Sequence, residues 1–109
     1  MPDTMLDTII SDTNTRAALL GTIQQNYRDA LAAITLVHAT PCLHPRARQP
    51  AVETLLREQL AYYSRPLAHL LSLDVLRRAA AEARAILDEA NGNLALVRRL
   101  QEQHAIMSN

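Results

Sequence analysis

The sequence predicts an all-α protein, an antiparallel bundle of four to five helices that associates as a homodimer. Three observations lead there. The apolar share is 49 % and consists mostly of Leu and Ala, which favour helix; Phe and Trp are absent and Tyr occurs only as Tyr27, Tyr62 and Tyr63. Only two glycines, Gly21 and Gly92, punctuate the chain. Apolar residues recur every three to four positions along most of its length. With 109 residues the chain reads as one domain, 1–109, and a core that small gains from self-association.

The elements follow in order. Residues 4–11 are capped by Asp3 or Thr4 and carry Met5, Leu6, Ile9 and Ile10 on one stripe, so residues 1–14 read as a loosely docked N-terminal helix. "SDTNT" at 11–15 breaks the pattern, because short polar side chains compete for helical backbone groups. Residues 15–39 form the strongest helix, with Leu20, Ile23, Tyr27, Ala30, Ile34 and Val37 as an a/d seam. "LAAITLV" (31–37) predicts burial nearly all round in its last two turns. Pro41 ends that helix and Pro50 opens the next.

Residues 50–72 place Val52, Leu56, Leu60, Tyr63, Leu67 and Leu70 on one face, with a kink or a break at Arg65–Pro66. Ser72 caps the following helix, whose buried face is Leu76, Ala79, Ala83, Ile86 and Ala90; Glu53–Arg57 and Asp74–Arg78 are i,i+4 ion pairs. "NGN" (91–93) predicts a stop and a new start, followed by a last helix over 94–106 with Leu94, Val97, Leu100, His104 and Met107 on its stripe.

Composition excludes several function classes. Eleven basic residues balance eleven acidic ones, which argues against nucleic acid as a partner. All the basic residues are Arg, in a bacterial style of codon usage, so Schiff-base and general-base lysine chemistry is absent. A single cysteine excludes an intrachain disulfide, and with no long apolar run and an acidic N-terminus the chain reads as cytoplasmic, with no membrane partner. No Gly-rich phosphate loop, nucleophile elbow or Glu-x-x-His pattern occurs.

Three groups of residues carry candidate chemistry. His38, Cys42 and His44 form H-x3-C-x-H, three zinc-type ligands that need a fourth from His69, His104, an acid or another subunit. The bland reading is a connecting loop with a buried thiol, and no cofactor at all. Tyr62 and Tyr63, with Arg57 one turn or so behind and Arg65 ahead, are candidate partner-binding anchors, or one core and one surface tyrosine. Arg99 and His104 form R-x4-H, a spacing used by some helical ribonucleases of the HEPN type.

Residues 82–100, "EARAILDEANGNLALVRRL", resemble two helix–loop–helix patterns: that of ubiquitin-associated domains, and that of the first half of Fis-type DNA-binding helix-turn-helix domains. The resemblance implies a turn at Asn91-Gly92-Asn93, with Val97 where a small residue is usual. The DNA-binding pattern then needs a recognition helix, for which "QEQHAIMSN" is too short.

The expectation drawn from these residues is a small non-enzymatic helical protein (regulator, adaptor, inhibitor or secretion-type chaperone) that binds a protein partner by helix packing. The alternatives are a metal- or ligand-sensing bundle using His38, Cys42 and His44, and a ribonuclease-like protein using Arg99 and His104.

Overall fold

A computed structural model describes residues 2–39 and 50–108, with side chains described over 5–39 and 51–107. The described residues are helical throughout: α1 (Pro2–His38), α2 (Pro50–Tyr63), a short 3-10 helix (Pro66–Leu70) and α3 (Leu73–Ser108). Cys42 and His44 lie outside the described residues.

The all-α expectation holds, but the described helices number three long ones rather than four or five, because two expected breaks are helical. At 11–15, Thr13 Oγ1 donates to the Ile9 carbonyl and Thr15 Oγ1 to the Ser11 carbonyl, each at 2.9 Å. The hydroxyls that could compete with the helix instead bond back onto it, four residues earlier. At 91–93 the helix also continues, and neither glycine has a positive φ. The turn implied by the resemblance to helix–loop–helix domains is therefore absent.

The break at Pro66 is real. Arg65 is extended (φ −67°, ψ 147°), as the residue before a proline prefers. The Gln24 Nε2 of α1 donates to the Tyr63 carbonyl at 2.8 Å and so satisfies one of the orphan groups at the end of α2. In a 3-10 helix, positions three apart eclipse one another. Leu67 and Leu70 thus share its outer face and are exposed, while Ala68 is buried, which overturns the expected continuation of the apolar stripe through Pro66. Ser72 caps α3 as expected, accepting the Val75 N–H at 3.3 Å. Asp74 pairs with Arg77 at 3.9 Å rather than with Arg78, while Glu53–Arg57 forms at 3.4 Å.

The chain runs up, down and up. His38 meets Glu53 and Gln24 meets Tyr63, so α2 returns antiparallel along α1. Glu82 acts on Tyr27, and Ile34 to His38 share a groove with α3 residues 86–100, so α3 runs parallel to α1. The core is one cluster in which Ile23, Tyr27, Leu56 and Leu76 are the largest fully buried side chains, with Ala79, Ala83 and Ala90 letting α3 approach closely. Leu36 is exposed, so the end of α1 is covered on one side rather than all round.

α1 and α3 are staggered. Each spans about 55 Å at 1.5 Å per residue, yet the molecule is 73 Å long and only 23 × 16 Å across. Among the described residues, α1 has no buried side chain before Leu20 and α3 none after Val97. One end of the molecule is thus bare α1, and the other is bare α3.

Candidate functional site

All three tyrosines meet in one cluster. Tyr27 stacks on Tyr63 with centroids 6.2 Å apart and planes 11° from parallel. Tyr62 meets Tyr63 edge-on at 4.9 Å, and the Arg65 guanidinium lies 5.6 Å over the Tyr62 ring. The cluster runs from the core to the surface. Burial pushes the Tyr27 and Tyr63 hydroxyls above their ordinary range, with the neighbouring tyrosine and Glu82 adding to it. Of the four expected anchors, Tyr63 is a core residue and offers a partner no surface. Tyr62, Arg65 and Arg57 are exposed, and Arg57 is spread beside Glu53.

Glu53 joins α2 to α1. One carboxylate oxygen lies 2.6 Å from His38 Nδ1 and the other 3.4 Å from Arg57. His38 is therefore engaged with a carboxylate of α2. Among the described residues no three His, Cys, Asp or Glu side chains assemble into a metal-binding group. Arg99 and His104 both lie on the bare end of α3. Five residues of α-helix set their Cα–Cβ directions about 140° apart around that helix.

A groove of about 540 Å³ opens between the C-terminal end of α1, the first half of α2 and residues 86–100 of α3. Its walls are apolar (Ile34, Val37, Val52, Leu56, Ile86, Val97), and His38, Glu89 and Asn93 supply its polar positions. Leu55, Leu96 and Leu100 line it while remaining half exposed. The sequence reading missed Leu55 and Leu96 because each lies beside its helix's main stripe, on a face whose burial depends on where the neighbouring helix stops.

No helix among the described residues is long and apolar enough to cross a membrane. No family model, curated protein or solved structure matches the chain.

Proposed function

We propose that this is a non-enzymatic interaction protein that binds a protein partner by helix packing and self-associates as a homodimer. The observation that carries the reading is the apolar groove flanked by half-exposed Leu55, Leu96 and Leu100. An amphipathic helix suits such a groove, because its i, i+3, i+4, i+7 side chains can enter a cleft walled by Ile, Leu and Val. Contiguous exposed apolar surface of this kind marks interaction sites in soluble proteins. Tyr62 and Arg65 lie outside the groove, toward the 3-10 helix, and with Arg57 form a separate exposed aromatic and basic patch that also suits a protein partner.

The test is a crosslinking map of the protein with whatever co-purifies, repeated with Leu96→Glu/Leu100→Glu. The expected result is crosslinks along α2 and residues 86–100, and loss of the co-purifying protein from the variant while its helical circular dichroism is unchanged. A partner retained by the variant, with crosslinks elsewhere, overturns the reading.

A further inference from the structure

The bare end of α1 carries the largest uncovered apolar surface at that pole of the molecule. Met5, Leu6, Ile9 and Ile10 are 49–66 % exposed. Met5 and Ile9 continue the seam that α1 buries further along, since Met5, Ile9, Leu19 and Ile23 recur at helical spacing on one side of the helix; Leu6 and Ile10 widen the exposed stripe to one side of it. Leu67 and Leu70, 70 % and 68 % exposed, lie at the same pole, because the 3-10 helix packs on α1 beyond the Gln24–Tyr63 contact.

We infer that this pole is the homodimer interface, formed by two copies of the N-terminal segment of α1 packed antiparallel, each tip reaching the Leu67–Leu70 face of the other copy. The inference rests on the reading of the protein as a homodimer and names the surface that forms it. In the fold the 20–37 seam is itself largely covered by α2 and α3, so the surface left for a second copy lies beyond it.

Three features support a second copy as the occupant. The first is size. Taking about 200 Å² for a fully exposed Leu, Ile or Met, the six side chains present roughly 700 Å² per copy, so a pair covers up to about 1,400 Å², within the class of specific dimers. The second is charge order. Asp12 and Arg16 lie one turn apart on the seam side, both half-buried, with no ion pair between them, and the Arg16 Nε is buried without a hydrogen-bond partner. On the seam side Asp12 lies nearer the tip and Arg16 nearer the root, where Arg65 also lies; Asp7 falls on the opposite side of α1. Antiparallel packing brings acidic tip to basic root twice; parallel packing opposes like charges. The third is symmetry. Stripe and 3-10 face lie at one pole, so the contact is the same patch on both copies and closes as a two-fold dimer, without growing into a fibre.

The test combines sedimentation with small-angle scattering of the full chain and of Ile9→Asp, Leu67→Asp and, as a control at the other pole, Leu100→Asp. The wild type and the control are expected to be dimers. Both interface variants are expected to weaken the dimer by at least tenfold while keeping wild-type helical circular dichroism. The maximum dimension of the wild-type particle is expected near 125 Å, which is twice 73 Å less an overlap of about 20 Å for 14 residues of helix. A wild-type dimer that persists in Ile9→Asp and Leu67→Asp, or whose length stays near 73 Å, overturns this interface and leaves self-association standing. A monomeric wild type overturns both.

Discussion

Tyr27 shows how much of the fold rests on single side chains in a chain without Phe or Trp. It is almost fully buried, stacks on Tyr63 and packs against a core otherwise made of aliphatic side chains and alanine. Tyr27→Ala is expected to cost about 3 kcal/mol or more, as for other large aromatic truncations. Tyr62→Ala, at the exposed end of the same cluster, is expected to cost under about 1 kcal/mol. Urea unfolding of the two variants checks the contrast. The same burial sets a pH dependence. The folded-state hydroxyls of Tyr27 and Tyr63 titrate above the ordinary value of 10.0, so the folded protein holds its protons longer than the unfolded chain does. Their contribution to stability is complete below pH 10 and is lost as pH rises through the folded-state values. Thermal midpoints are therefore expected to be insensitive to these groups up to about pH 9 and to fall above 10. Tyr27→Phe is expected to flatten that fall, and an equally steep fall in that variant would assign it to other groups.

At the scale of elements, the continuity of α3 has a direct test in Gly92. A residue in a helix-ending turn with positive φ resists a side chain, whereas a glycine inside a helix is a weak point. Gly92 has helical neighbours on both sides, no positive φ, and open space where a Cβ would stand; the same holds for Gly21 in α1. Gly92→Ala is expected to stabilise the protein by about 0.5–1 kcal/mol, raising the melting temperature by a few degrees. Destabilisation would mean that a turn exists at 91–93 after all. In α1 the expectation concerns Thr13 and Thr15. With their back-bonds the segment is helical, so replacing both by Ala, the best helix former, should leave the helix intact and raise its content. Chemical shifts of the amides around 11–15 report this directly.

At the scale of the molecule, stagger governs behaviour. The radius of gyration is 18.9 Å, against about 13 Å for a compact chain of this length. Among the described residues nothing covers the apolar sides of the two ends, and isolated helix of that length is marginal in water. Amides of residues 2–14 and 98–108 are therefore expected to exchange fast in dilute monomer. Dimerisation through α1 is expected to protect residues 2–14 with rising protein concentration and to leave 98–108 unchanged. Hydrogen exchange at two concentrations separates the poles; equal protection at both ends would refute the asymmetry.

Local chemistry was legible in the residues alone. Leu and Ala content, the 20–37 seam, the break at Pro66, the Ser72 cap and the buried alanines of 79–90 all follow from short-range rules, and the described residues carry each of them. So did the partition of Tyr62 and Tyr63 into surface and core as one of two readings. Helix continuity was not legible. Ser, Thr, Asn and Gly have opposite effects as caps and as interior residues, and the role each takes depends on bonds such as Thr13 to Ile9 that spacing does not reveal. Nor was the extent of cover. The seam of α1 reads alike at Met5 and at Ile23, yet one is exposed and the other buried. That difference belongs to the lengths and offsets of three helices. α2 is short, α3 starts beside the middle of α1, and a stripe is core only where another helix lies across it.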